Sequence, residues 1–322
     1  FVIQDEIANS IVEALQITLS ARDQRALRAG QSADIHAYDF YLRGRGYFRR
    51  RTEADLGSAR EMFTKAIDID SGYAPAWAGL ADCYTEYYRN YESTDDNLEA
   101  ADRASQMAVD LDQDLAEAHA ARGYALGQRL QYEEAQEEFR RAVELDDTLF
   151  ETYYYYGTVA FAQGELETSA EMFERALQVA PDDERAMRLL PQIYRSLGRG
   201  SEERLANRRR LQLAEKRLEL HPDDVQTVID GAHALAALGE KERSLEWAGR
   251  ILEADTDDAL LLYNLACFFS MAGQADPALD ALEKSYQEGL ADPEWMRQDS
   301  DLDNIRDLPR YKELVARMEA GN

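Results

Sequence analysis

Four side chains that could recognise an acidic ligand follow one another at Arg185, Arg188, Gln192 and Arg195. Their spacing places all four on one face of a helix. An arginine guanidinium offers a planar fork of hydrogen-bond donors that pairs with a carboxylate. This face could therefore bind an acidic or carboxylate-bearing peptide. The simpler interpretation is that these cations neutralise the acidic segments around them.

These basic residues stand out because the chain as a whole is acidic. The 322 residues carry a net charge of −27, yet residues 185–217 hold ten basic and three acidic residues. Residues 22–51 hold eight basic and three acidic residues. A strongly negative chain repels polyanions, so we predict no nucleic-acid partner. The longest uncharged run, residues 259–275, is short for a membrane span, and we predict none.

Catalytic and metal-binding patterns are weak in this sequence. Asp299, Asp301 and Asp303 alternate as ligands do at the start of a calcium loop, but Asn304 and Arg310 stand where that loop needs Gly and Glu. The four histidines have no metal-type spacing. Neither a Gly-rich phosphate loop nor a nucleophile beside a base motif occurs. We therefore predict a non-catalytic chain without a cofactor or metal site.

The elements that must position the basic side chains are pairs of helices, and the clearest pair is residues 150–183. Tyr153, Gly157 and Ala160 share one predicted helix face, and Gly164 supplies a turn before a second face of the same period. The 34-residue length, the order of aromatic and small positions, and the closing proline match the tetratricopeptide pattern.

Equivalent small positions test this repeat. They fall at Gly44, Ala81, Gly123, Gly157, Pro191, Ala232 and Ala266. Three of the six intervals are 34 residues, and the others are 37, 42 and 41 residues. We expect the insertions to lie between helices, where a solenoid tolerates them. The sequence predicts an all-α, right-handed superhelical solenoid of about seven tetratricopeptide helix–turn–helix repeats.

The chain divides into four predicted segments. Proline inside a helix removes a backbone hydrogen bond, so Pro191 marks an irregular repeat, and the stretch 201–220 after it is too long for one ordinary second helix. The segments are an amphipathic helix with a connector at 1–36, repeats 1–4 at 37–183, the irregular repeat 5 with its insertion at 184–224, and repeats 6 and 7 with a cap at 225–322.

A solenoid of this kind presents a concave binding surface, which the first helix of each repeat lines. Residues beside the core positions should point into this groove, where we expect a protein or peptide ligand. The candidate groove residues are Tyr41, Arg45, Arg49, Tyr124, Tyr154, Thr158, Arg185, Arg188, Gln192 and Arg195.

Three stretches resemble one group of bacterial signalling proteins. Residues 1–8 (FVIQDEIA) resemble the helix that joins a TolB-like amino-terminal domain to tetratricopeptide repeats. Residues 37–44 (AYDFYLRG) resemble the first repeat of that group, and residues 263–311 resemble its last repeat and cap. Such arrays often follow a nucleotide cyclase, a winged-helix DNA-binding domain or a protein kinase. The resemblance implies a signalling context without selecting the output domain.

The sequence thus predicts a non-enzymatic scaffold for protein–protein interaction within a larger bacterial signalling or regulatory protein. Two alternatives stay open. The chain could be a structural module that self-associates into a homo-oligomer, or a regulatory segment of a nucleotide cyclase whose catalytic domain lies elsewhere. We favour a cytoplasmic location, and the periplasm also stays open.

Overall fold

The computed structural model describes residues 34–252, 257–290 and 292–320. The predicted amphipathic helix at the start of the chain lies outside these residues. The described residues form sixteen α-helices and no β-strand. The helices are α1 Ile35–Phe48, α2 Glu53–Ile69, α3 Ala74–Asn90, α4 Asp95–Leu111, α5 Ala116–Gln128, α6 Tyr132–Leu145, α7 Phe150–Gln163, α8 Leu166–Val179, α9 Glu184–Ser196, α10 Gly200–Leu220, α11 Val225–Ala237, α12 Lys241–Leu252, α13 Ala259–Met271, α14 Ala275–Gln287, α15 Pro293–Gln298 and α16 Pro309–Ala320.

The first fourteen helices pack as seven consecutive pairs, α1 with α2 through α13 with α14. In addition, α1, α3, α5 and α7 contact one another in order along an inner layer. Each helix pair buries one apolar face. The buried residues form two large clusters, one in repeats 1–3 and one that extends from repeat 3 to α16. The predicted all-α tetratricopeptide solenoid is confirmed.

Small residues hold the two helices of a pair close together. A Cβ atom placed on Gly123 of α5 would lie 2.8 Å from the ring of Phe139 on α6 and 3.0 Å from the carbonyl oxygen of Ala135. In the next pair, a Cβ atom on Gly157 of α7 would lie 3.1 Å from the ring of Phe173 on α8. Both phenylalanine side chains are fully buried. The repeated glycine and phenylalanine are therefore two halves of one packing contact.

Two expectations about the insertions are wrong. The long second repeat has 17-residue helices α3 and α4 joined by residues 91–94, so its additional length lies mainly within helices. The stretch after Pro191 that looked too long for one second helix is the single 21-residue helix α10. From residue 201 to residue 220 it contains no glycine or proline, and its many Glu, Arg, Leu and Ala residues favour helix. No residue in this stretch therefore ends the helix at the length usual for a second helix.

The irregular repeat 5 keeps its helical geometry. Pro191 is buried inside α9, and that helix runs on to Ser196. At the other end of the array, α16 packs on α14 and buries Tyr311, Leu314 and Met318. In the described ranges, no helix combines the length and the apolar character that crossing a bilayer requires.

Replacing Gly123 with Leu should destabilise the protein by about 1–3 kcal/mol, because the new side chain must displace Phe139 or the α6 backbone. The matched control is Gly46→Leu, since nothing lies within 4 Å of a Cβ atom at Gly46 of α1. Urea unfolding followed by circular dichroism measures both variants. Equal midpoints for the two variants would contradict the close-packing account.

Candidate ligand-binding groove

The C-terminal segment crosses the concave side of the solenoid. This segment, residues 289–290 and 292–302, contains α15 and a 3₁₀ turn at Ser300–Leu302. The α15 helix packs on α7, and the 3₁₀ turn packs on α9 and α13. The backbone N–H of Ser93 donates to the carbonyl oxygen of Gly289 at 3.4 Å. The end of repeat 7 therefore meets the second repeat, and the array closes on itself.

Trp295 anchors the first half of the segment. Its ring centroid lies 4.4 Å from that of Phe161 on α7, and the guanidinium carbon of Arg89 lies 4.4 Å from the centroid of the Trp295 ring. Asp292 caps α15, since its carboxylate accepts a hydrogen bond from the backbone N–H of Trp295 at 2.9 Å. An aromatic side chain held between a phenylalanine and an arginine combines apolar burial with cation–π attraction.

Two aspartates anchor the second half. The hydroxyl of Tyr263 donates to Asp299 at 2.8 Å, and Asp301 forms an ion pair with Arg195. The Ser300 hydroxyl donates to the backbone carbonyl of Gln192 at 3.3 Å. An acidic stretch of the chain itself thus occupies one of the arginines that the sequence suggests for an acidic ligand.

The two aspartates differ in their pKa values although both are buried. Burial and the nearby charge of Asp301 raise the pKa of Asp299. Burial also acts against ionisation of Asp301, but the nearby His233 ring, whose Nδ1 lies 3.7 Å from Asp301 Oδ2, and the charge of Arg195 outweigh it and lower the pKa of Asp301. We therefore assign the negative charge of this pair to Asp301, opposite Arg195.

A cavity of about 680 Å³ remains between this segment and the inner helices. Its wall includes cations and aromatic side chains from repeats that are far apart in sequence. Among them are Arg51, Arg89, Tyr154, Arg185, Arg188 and Trp295. The volume falls within the range of typical small-molecule sites, about 300–1,000 Å³.

The predicted groove residues separate into two groups. Five of them line this cavity: Arg49, Tyr154, Arg185, Arg188 and Gln192. The other five lie outside its lining: Tyr41, Arg45, Tyr124, Thr158 and Arg195. The structure thus brings Tyr154 of α7 together with Arg185, Arg188 and Gln192 of α9 around one space.

Most of the second group is engaged within the protein. The Tyr124 ring stacks on Tyr155 with centroids 4.1 Å apart. Arg45 lies 3.5 Å from a carboxylate oxygen of Glu151. The hydroxyl of Thr158 donates to a backbone carbonyl of its own helix at 2.9 Å. These side chains support the inner layer of helices.

Arg188 and Arg185, in the first group, also have internal partners. Arg188 makes two hydrogen bonds to Asp230 at 2.8 and 2.9 Å, and Arg210 donates to the same carboxylate at 2.8 Å. Burial opposes the charge on Asp230, but the two arginines lower its pKa. Arg185 pairs with Asp183 at 2.8 Å and lies 4.9 Å from the centroid of the Tyr154 ring.

Sequence reasoning missed Arg51, Arg89 and Trp295 as members of this site. Arg51 lies in a turn. From the sequence, Arg89 is expected in a long connection between helices, and Trp295 is expected only to cover the apolar surface of the last repeat. Arg89 lies in the last turn of α3, so the longer helix carries it to the cavity. A tryptophan among acidic residues after the last repeat was the one available signal.

A buried carboxyl group next to this site has no ion pair that explains its burial. Asp82 on α3 is 5% exposed, and its Oδ1 atom has no hydrogen-bond partner among the described residues. Burial raises the pKa of Asp82 to about 8, an effect that the charge of Arg45 only partly offsets. The folded state therefore favours the protonated form of Asp82 more strongly than the unfolded chain does.

The comparisons with known proteins concern the fold first. The profile described as "Tetratricopeptide repeat" matches residues 116–148, which contain α5 and α6. A monomeric IFIT1 mutant with Gppp-AAAA is 13% identical, with a TM-score of 0.59 over 99% of this chain and 76% of that chain. PilW, described as a type IV pilus biogenesis factor, is 18% identical over 68% of this chain and 93% of its own, with a TM-score of 0.49.

Taken with the seven helix pairs, the profile match and the IFIT1 likeness show that this chain is a tetratricopeptide array. Identities this low show the fold alone. A curated relative from Rhizobium meliloti (strain 1021), named "Putative adenylate cyclase 3", is 30% identical over 138 residues. The match covers 42% of this chain and 24% of that relative, so the chain spans only about a quarter of the relative's length.

The protonated state of Asp82 predicts a pH dependence of stability. A raised carboxyl pKa means that the folded state binds the proton more tightly than the unfolded chain. The contribution of Asp82 to the free energy of unfolding should therefore fall as the pH rises from about 4 to about 8. The free energy of unfolding of Asp82→Asn should equal that of the wild type within about 1 kcal/mol at pH 5. At pH 9 it should exceed the wild-type value by about 2–5 kcal/mol.

Urea unfolding at the two pH values measures this difference. The control is Asp68→Asn, which changes an exposed aspartate on the neighbouring helix α2. A wild type and an Asp82→Asn variant that lose the same stability between pH 5 and pH 9 would show that Asp82 does not carry the proton.

Asp301→Asn should loosen the C-terminal segment, because it removes the charge that pairs with Arg195. We expect the free energy of local opening of residues 292–302 to fall by about 1–3 kcal/mol. Hydrogen–deuterium exchange measures this change, with Asp303→Asn as control, since Asp303 is exposed and pairs with Arg306 at 2.9 Å. The same exchange rate in both variants would refute the anchoring role of Asp301.

Proposed function

We propose that this chain is a non-catalytic scaffold that binds a protein segment along its concave groove. The observation that carries the proposal is the way the chain's own acidic segment lies there. Asp301 meets Arg195, Ser300 meets the α9 backbone, and Trp295 fills a site on α7. A partner segment with an aromatic residue followed by an acidic residue would offer the same contacts.

Such a partner would replace the C-terminal segment rather than enter an empty groove. The groove is therefore regulated by competition within the chain, and a ligand must supply contacts equal to those of Trp295 and Asp301. Arg188 and Gln192 lie next to this path on α9. Their positions agree with the proposal that α9 supplies the recognition surface for acidic groups.

We also propose that the scaffold acts within a larger bacterial signalling protein. The Rhizobium meliloti relative supports this role, because its name describes a cyclase and this chain matches only 24% of its length. The resemblance of residues 1–8 to a linker helix supports it as well. The alternative, a regulatory segment of a nucleotide cyclase, has the same support. It differs from the first proposal only in the output domain that accompanies the array.

The groove proposal predicts binding of a peptide with the sequence of residues 292–306. The receptor is the full chain carrying Trp295→Ala and Asp301→Ala, which weaken its own segment. We expect the labelled peptide to bind this receptor in the micromolar range and the wild-type chain at least about tenfold more weakly, since the wild-type segment competes.

A further substitution tests the role of Arg195. Arg195→Ala in the receptor should lower its affinity for the peptide by about tenfold, because the substitution removes a charge-assisted ion pair. The control is Arg199→Ala, an arginine near the end of α9 that pairs with Glu167 on α8. Fluorescence anisotropy measures all affinities. A peptide that binds none of these chains, or binds equally without Arg195, would overturn the groove proposal.

A further inference from the structure

We propose that the 680 Å³ cavity is a binding site for a small organic polyanion, held by Arg51, Arg89 and Arg185 around Tyr154. The ligand class is a compact molecule that bears two or more carboxylate or phosphate groups. This inference goes beyond the scaffold function and does not depend on it, because the cavity persists with the C-terminal segment in place.

The three arginines act on one shared space. The guanidinium carbons of Arg185 and Arg51 lie 4.9 and 6.0 Å from the centroid of the Tyr154 ring. Burial opposes the charge on Glu86, yet Arg51, Arg89 and Arg185 together lower the pKa of this one carboxyl group. Cations from the end of repeat 1, from repeat 2 and from repeat 5 therefore converge at the cavity.

Glu86 leaves little acceptor capacity for these cations. One of its carboxylate oxygens pairs with Arg51 and accepts from the Tyr124 hydroxyl at 3.2 Å. The other accepts from the side-chain amide of Asn90 at 2.7 Å. Both oxygens are thus in use, and neither pairs with Arg89.

The remaining carboxylates of the cavity wall are also engaged. Asp258 and Asp292 cap helices, and Asp299 accepts a hydrogen bond from the Tyr263 hydroxyl. The others form ion pairs with arginines: Asp55 with Arg50, Glu184 and Asp224 with Arg217, and Asp301 with Arg195. Each of them already has a positive charge or a hydrogen-bond donor opposite it. An added anion would therefore meet the arginines as its main partners.

Two groups at the cavity are left without the partners that their chemistry calls for. Among the described residues, no carboxylate lies within ion-pair distance of Arg89, whose one hydrogen bond there goes to Asn90 at 3.3 Å. The Tyr154 side chain is 6% exposed and lines the cavity, and its hydroxyl makes no hydrogen bond within the described ranges. Arg89 is half-buried, and a half-buried cation beside a hydroxyl that lines the cavity favours an anionic acceptor.

The backbone at Arg51 holds its side chain in place. Arg51 has a φ of 54°, in the left-handed region that non-glycine residues rarely adopt. The hydroxyl of Tyr91 donates to the Arg51 carbonyl at 2.8 Å, and the guanidinium carbon lies 4.4 Å from the centroid of the Phe48 ring. Backbone strain of this kind persists where surrounding contacts fix it, and it is common at ligand sites.

The aromatic residues narrow the ligand class. Trp295, Tyr154 and Phe150 flank the arginines, and the guanidinium carbon of Arg185 lies 4.6 Å from the centroid of the Phe150 ring. A stacked guanidinium group directs its donors outward from the ring, toward planar or tetrahedral oxyanions. Arg185 shares these donors with Asp183, and Arg51 shares them with Glu86. Three cations that converge on one space favour a ligand with more than one anionic group.

Titration calorimetry on the full chain at constant ionic strength tests the site with pyrophosphate and with citrate. We expect at least one probe to bind with a Kd below about 1 mM. Arg89→Gln should weaken binding by at least about tenfold, because it removes a charge-assisted contact. Tyr154→Phe, which loses only the hydroxyl, should weaken it about threefold.

The matched control is Arg140→Gln, which removes one positive charge from an exposed position on α6, outside the cavity lining. It should leave the affinity unchanged within about twofold. Circular dichroism checks whether each variant is folded. If Arg89→Gln does not fold, Tyr154→Phe still tests the site.

Binding of pyrophosphate alone would assign a phosphorylated ligand, and binding of citrate alone would assign a polycarboxylate. Binding of both supports a general polyanion site. Three results would overturn the proposal: no heat with either probe up to about 5 mM, an affinity that neither cavity variant changes, or an equal loss in Arg140→Gln. Failure of the groove peptide to bind would leave all of these results unaffected.

Discussion

The burial of Trp295 against the inner helices is the contact on which the rest of this structure depends. A tetratricopeptide array would otherwise end as an open superhelix, with its concave side facing water. Here Phe161 and Arg89 hold the indole ring, and the Ser93–Gly289 hydrogen bond brings repeat 7 to repeat 2. The open groove of the repeat pattern thereby becomes a partly open cavity beside the chain's own segment.

This closure also determines what the arginines of the inner surface do. In a chain with a net charge of −27, most basic residues of the described ranges pair with a carboxylate, as Arg188 pairs with Asp230. Arg195 finds Asp301 because the C-terminal segment passes beside α9. Arg89 instead meets an aromatic ring. Arg89 is half-buried and has no carboxylate partner in the described ranges, so its charge is available to a ligand.

The two proposed activities use different parts of one inner surface. Binding of a protein segment depends on α9 and requires the C-terminal segment to leave. Binding of a small polyanion depends on Arg51, Arg89 and Arg185 and leaves that segment in place. The two binding events are therefore chemically separate, although both involve the cavity wall that Trp295 completes.

The sequence by itself determined the helix pairs and their stacking. Glycine and phenylalanine recur at positions such as Gly123 and Phe139 because two helices can cross closely only where one lacks a side chain and the other fills the gap. This constraint is local and periodic, so a single chain displays it. The same pattern placed Tyr154, Arg185, Arg188 and Gln192 on inner helices.

Only the tertiary structure decided where the chain closes and which cations share a space. Helix lengths in repeats 2 and 5 depend on where a helix stops, and no glycine or proline marks the usual ends in those repeats. Small changes in helix length and crossing angle accumulate along a solenoid, so they set which distant repeats meet. The meeting of Arg89 with Trp295, 206 positions apart in sequence, follows from that accumulated geometry, which no local pattern records.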